Sequence, residues 1–116
     1  MISGIYKINF PNGKSYIGLS NNIQKRINQH NRSARLDNPL LPVHRAIALY
    51  GNIEIGKNVE ILEEISPENR ELLNERERYW IKYYQTCDND KGYNLTNGGD
   101  GAGVGVGNIS AKLNSE

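Results

Sequence analysis

The stretch from Ile2 to Ser20 constrains the chain more than any other, because a tight turn divides two short runs of strand-forming residues. Phe10-Pro11-Asn12-Gly13-Lys14 sets proline at the second position of a type I turn, asparagine after it, and then a glycine able to take the left-handed conformation. A three-residue loop with a glycine bulge pairs Phe10 with Lys14. That register puts Ile8 opposite Tyr16, Tyr6 opposite Gly18 and Gly4 opposite Ser20, so both tyrosines share one sheet face. A two-residue loop at Asn12-Gly13 would slip the pairing by one and send them to opposite faces. The turn residues favour the bulged loop.

Two phenols on one face are diagonal neighbours within reach of each other. Gly4 and Gly18 beside them leave room for another backbone to approach, which here is expected to belong to another molecule. The alternative is plain packing, since aromatic residues are ordinary in strands and these two could simply cover a helix.

Ser20, Asn21 or Asn22 can cap a helix that runs to about Ala34. Its inward stripe is Ile23, Ile27, His30 and Ala34; Arg26 lies at the margin, one turn from His30 on the same side, while Lys25 and Arg32 point away. Arg26 could snorkel along the core edge and His30 could be a core histidine. Together, directly after the tyrosine hairpin, they read as a site. A second helix starts at Pro42 and ends at Tyr50 against Gly51, burying Val43, Ala46, Ile47 and Tyr50. His44 falls beside that stripe and receives no role. Ile53 to Lys57 reads as a connector. Val59 to Glu64 reads as a strand apolar on both faces, suited to a covered sheet and to pairing with the hairpin.

Ser66-Pro67-Glu68 carries the marks of a helix start, and the pattern continues to about Tyr84. At about 100° per residue from Leu73, Glu77 lies about 40° round, inside the arc of Trp80, Ile81 and Tyr84, whereas Glu75 lies about 200° round with Lys82. One glutamate therefore faces the core and the other faces water. An inward carboxylate is costly unless it is paired or bound to a cation. Arg76, also on the arc, is one partner on offer; a metal ion is the other.

The chain has 116 residues, a net charge of +1 and one cysteine, Cys87. The chain is expected to form one modest domain, 1–97, with 98–116 holding a glycine-rich linker and the start of a truncated C-terminal DNA-binding region. No leader and no long apolar run is visible, so the chain reads as soluble and cytoplasmic, with no membrane partner. Near-zero net charge excludes a global field for nucleic acid, yet Asn21 to Leu36 holds Lys25, Arg26, Arg32 and Arg35 with no acid, a basic face of the size that grips a few phosphates. The expected fold is α/β of the α+β type: a three-stranded antiparallel sheet, hairpin plus Val59 to Glu64, flanked by three helices.

Gly4-Ile5-Tyr6 followed by Tyr16-Ile17-Gly18, then Arg26 and His30, Glu77 spaced from Trp80, and Gly92-Tyr93-Asn94 resemble, in that order, the motifs of the GIY-YIG nucleases. The resemblance covers residues 1–97 and lies nearest to the catalytic domains of homing endonucleases. It implies an active site of Tyr6, Tyr16, Arg26, His30, Glu77 and Asn94 that hydrolyses phosphodiesters in double-stranded DNA. It further implies Mg²⁺ or Mn²⁺ held by Glu77, Tyr6 as general base, Arg26 stabilising charge at phosphorus, and Asn94 orienting a ligand or the backbone. A repair or restriction nuclease of the same family and a non-catalytic DNA-binding module are the competing readings.

Overall fold

In the computed structural model residues 1–98 are described. The turn closes as its residues dictate: Phe10 N–H donates to Lys14 O at 3.0 Å, Gly13 N–H to Phe10 O at 3.0 Å, and Gly13 takes a φ of 87°. Strands β1 (Gly4–Asn9) and β2 (Ser15–Ser20) then pair antiparallel with Tyr6 opposite Gly18 and Ile8 opposite Tyr16. The bulged register thus holds, and the tyrosines share a face.

Helix α1 (Ile23–Ala34) is capped by Asn22, whose side chain accepts from Lys25 N–H. Helix α2 (Pro42–Tyr50) follows, then β3 (Val59–Glu64) and α3 (Arg70–Tyr84). The sheet order is β2-β1-β3, antiparallel throughout. On one face Tyr6, Ile8 and Phe10 pack with Ile23 and Ile27 of α1 and Val43 and Ile47 of α2. On the other, Ile5, Ile17 and Leu19 pack with Leu73 and Ile81 of α3. The α+β architecture matches the expectation, with both sheet faces covered.

Four expectations change. β3 pairs with the hairpin in a sheet covered on both faces, yet it lies half-buried at the edge rather than inside, whereas β1 and β2 are buried on both faces. Helix α3 begins at Arg70, the Ser66-Pro67-Glu68 run forming a turn in which Ser66 Oγ–H donates to Glu68 Oε1. Tyr50 stays 42% exposed at the end of α2, and His44 in the first turn of that helix is buried. The Ile53–Lys57 connector is anchored, for Asn31 bonds both backbone groups of a buried Ile53 at 2.9 Å.

The glycines make room for the chain itself. A Cβ on Gly4 would sit 1.9 Å from Glu63 O, where the β1–β3 pairing shifts register, and a Cβ on Gly18 would sit 2.4 Å from both Tyr6 Cζ and Tyr6 Oη. Tyr6 is 1% exposed and has nowhere to retreat. Gly18→Ala is therefore expected to lower stability by about 2 kcal/mol, within the range for overpacked cores, and a urea midpoint equal to wild type would show that the phenol is not held against residue 18.

Candidate active site

The shared tyrosine face meets α1 and α2 at a chain of hydrogen-bonded rings. Tyr6 Oη lies 2.8 Å from His30 Nε2, and His30 Nδ1 lies 2.9 Å from His44 Nε2. Tyr16 stands edge-on to the His30 imidazole with centroids 5.7 Å apart, and 6.5 Å from the Tyr6 ring. The helical stripe that buries Ile23 and Ile27 delivers His30 to this point, and α2 delivers His44. Sequence periodicity left His44 without a role, because its partner sits on another helix. A histidine on the margin of an otherwise apolar stripe was the available signal.

Burial above all, with Tyr16 next to it, holds the Tyr6 phenol well above its ordinary pKa; nearby Arg26 pulls the other way, and the charge of Glu77 adds to the rise. Tyr16 is pushed up to about 12, by burial and then by the Glu77 charge, against Arg26. His30 is lowered to about 3 by burial, by Arg26 and by His44. His44 is lowered by burial and by Arg26. Near neutrality both tyrosines are protonated and both imidazoles are neutral. Each neutral imidazole then accepts at one nitrogen and donates at the other, so the 2.8 and 2.9 Å contacts suit a relay in which Tyr6 donates to His30 and His30 donates to His44.

Arg26 and Glu77 bring opposite charges to this neutral cluster, and each acts on both tyrosines. Glu77 is half-buried on α3, while Glu75 is exposed on the far side, as the wheel indicates. Arg76, the partner on offer, is held by Glu63, whose Oε1 accepts from Arg76 Nε at 2.6 Å and from Trp80 Nε1 at 2.7 Å. Tyr6, Tyr16, Arg26, His30 and Glu77 thus come together. Asn94 stands apart from them at the outer edge of β2: its amide donates to Ile17 O at 2.8 Å and accepts from Ile17 N–H at 2.9 Å. Of the two tasks expected for it, the side chain is engaged in holding backbone.

A model of the GIY-YIG catalytic domain matches residues 2–94. The chain belongs to the GIY-YIG family. Its similarity to intron-associated endonuclease 1 of Enterobacteria phage T4 is 35% identity over 97 residues, which are 82% of this chain and 37% of that protein, so the chain spans little more than a third of that relative. The fold superposes on a glutamate-to-alanine mutant of the catalytic domain of intron endonuclease I-TevI with a TM-score of 0.69 at 30% identity, covering 84% of this chain and 96% of that one. A second structure, of the catalytic domain of homing endonuclease I-TevI, gives 0.62 at 31%, covering 81% and 98%. Among the described residues no helix is long and apolar enough to cross a membrane.

The GIY-YIG domain should be acid-sensitive through its buried imidazole. His30 titrates near 6.5 when unfolded and about 3 when folded, so the unfolded chain takes up a proton first as pH falls, and stability drops from about pH 6.5 downward to about 3. Between pH 7 and pH 5 this site alone should cost about 2 kcal/mol of unfolding free energy. His30→Asn should show a shallower loss over that interval in urea titrations; an equal slope would mean that His30 is already protonated in the folded state.

Proposed function

We propose that the chain is the catalytic domain of a homing-type endonuclease, which hydrolyses phosphodiester bonds in double-stranded DNA with Mg²⁺ or Mn²⁺ as cofactor. Residues 1–97 are its catalytic unit, and 98–116 lead from it as a linker towards a DNA-binding region. The observation that carries the reading is the Tyr6–His30–His44 hydrogen-bond chain, with the opposite charges of Arg26 and Glu77 both acting on its tyrosine.

The donor set suits a hard divalent cation that keeps most of its water. Among the described residues no group of three or more His, Cys, Asp or Glu could cage a metal; Mg²⁺ is commonly held by one or two carboxylates together with waters and substrate phosphate oxygens. Glu77 supplies the carboxylate. A Cβ on Gly98 would lie 3.0 Å from Glu77 Oε1, so glycine there keeps space beside it. The cation, when bound, neutralises charge on the phosphate and the leaving oxygen.

The remaining work falls to this chain's side chains. A phenol with a raised pKa is a poor base by itself, so Tyr6 takes a proton from the attacking water as its own proton passes to His30, whose readiness to accept rises when a bound phosphate offsets the Arg26 charge that helps depress it. His44 accepts from His30 Nδ1–H and thereby keeps Nε2 free to receive that proton; it is a positioning residue. Arg26 stabilises charge growing on the non-bridging oxygens, a task for which a guanidinium is well shaped. Tyr16 fills the face beside the water's path, and Asn94 fixes the strand that carries Tyr16. The products are a 5′-phosphate and a 3′-hydroxyl.

Nicking of supercoiled plasmid in Mg²⁺ or Mn²⁺, with EDTA as control, tests the reading. Glu77→Ala should lose cleavage while staying folded, and Glu75→Ala should cut within about twofold of wild type, because it faces water across the helix. His44→Ala should slow cleavage by about tenfold or more, the low end of proton-transfer effects, with DNA binding retained. Wild type that binds DNA yet never cuts it in any metal would hand the site to the binding-module reading.

A further inference from the structure

A cavity of about 260 Å³ opens next to the reactive cluster, between the end of β2, Lys25 and Arg26 of α1, and Arg70 and Leu73 of α3. Three of its side chains are cationic and none of its lining residues is acidic. Arg26 belongs to both places: it lines the cavity, and its charge acts on Tyr6, Tyr16 and His30. Arg70 is tied to the site by helix geometry. It precedes Glu77 by seven residues on α3, which is about 20° around the axis and about 10 Å along it, so both project from one face.

The cations occupy positions that folding alone disfavours. Arg70 is the first residue of α3, where only Glu71 beside it is acidic in the first turn, and Lys25 lies in the first turn of α1, which has no acid there. A positive charge at a helix start opposes the macrodipole, and three of them around one cavity repel one another. An anion in the cavity relieves both effects. At about 30 Å³ per water the space equals about nine water molecules, room for one phosphodiester group with solvent around it.

We propose that this cavity is a second phosphate subsite: Arg70 and Lys25 grip a backbone phosphate of the strand being cut, one to three nucleotides from the scissile phosphate that Arg26 faces. The inference rests on the nuclease reading above. With a rise of about 3.4 Å per nucleotide on one strand, an offset of about 10 Å along α3 corresponds to about three steps at most. The subsite reads charge and position and ignores base identity. It turns a general basic face into a fixed strand path, from Arg70 past Leu73 to Glu77.

The test uses the full chain on an end-labelled DNA duplex whose cut positions have been mapped, in Mg²⁺. Arg70→Ala and Lys25→Ala should each raise KM about five- to tenfold with kcat within twofold of wild type, and each should flatten the salt dependence of KM by up to about one unit of log-log slope. Arg70→Lys should recover most of the loss. An uncharged methylphosphonate placed singly at each of the three phosphates on either side of the cut should reproduce the defect at one position, and that position should be indifferent to Arg70→Ala. Removing a cation from a helix start leaves the fold as stable or more so, which thermal unfolding verifies. Unchanged KM and salt slope in both alanine variants, or a fall in kcat at constant KM, overturns the subsite while cleavage by wild type keeps the nuclease reading. Wild type that neither cuts nor binds the duplex removes both.

Discussion

The hydrogen bond between Tyr6 Oη and His30 Nε2 joins the central strand to the first helix inside the core, and the surrounding structure is arranged so that it can form. Tyr6 must point towards α1, which requires the glycine-bulged turn; its ring needs space opposite, which requires Gly18; His30 must sit on the buried stripe of α1, which requires the helix to begin at its Asn22 cap. A buried polar pair is costly when half satisfied. Here the far nitrogen of the imidazole is met by His44, so the pair closes without an orphan.

This satisfaction sets the electrostatic character of the site. Two phenols that resist ionisation and two imidazoles that resist protonation form a neutral block, three of its rings linked by hydrogen bonds, on which the opposite charges of Arg26 and Glu77 both act. Burial is the largest cause of each shift, so the block stays neutral on both sides of neutrality. Arg26 and Glu77 are only half-buried, so both side chains remain open to solvent beside the block.

Local chemistry made most of this legible from the amino-acid order. The hairpin register followed from Pro11-Asn12-Gly13, the choice of Glu77 over Glu75 followed from helical angle, and His30 followed from the α1 stripe. Tertiary partnerships were less accessible. His44 gains its meaning from a ring on another helix, Arg76 is claimed by Glu63 across the sheet edge, and the Asn94 amide is consumed by a strand 77 positions away in sequence. The start of α3 was misplaced because Ser66-Pro67-Glu68 satisfies the local rules for a helix entry while the chain uses them for a turn. Propensity names the punctuation; packing decides which mark opens the helix.

The Asn94 clamp also determines where the chain leaves the domain. Residues 91–94 run along β2, with Lys91 O accepting from Ser15 N–H at 3.1 Å, Tyr93 N–H donating to Ser15 O at 3.0 Å and both Asn94 amide groups bound to Ile17, and four residues later Gly98 passes against Glu77. Residue 98, the last of the described residues, thus lies at the rim of the reactive cluster. A load applied at residue 98 arrives first at the strand bearing Tyr16 and at the Glu77 carboxylate, so the geometry of the candidate site is mechanically in series with this end of the described chain.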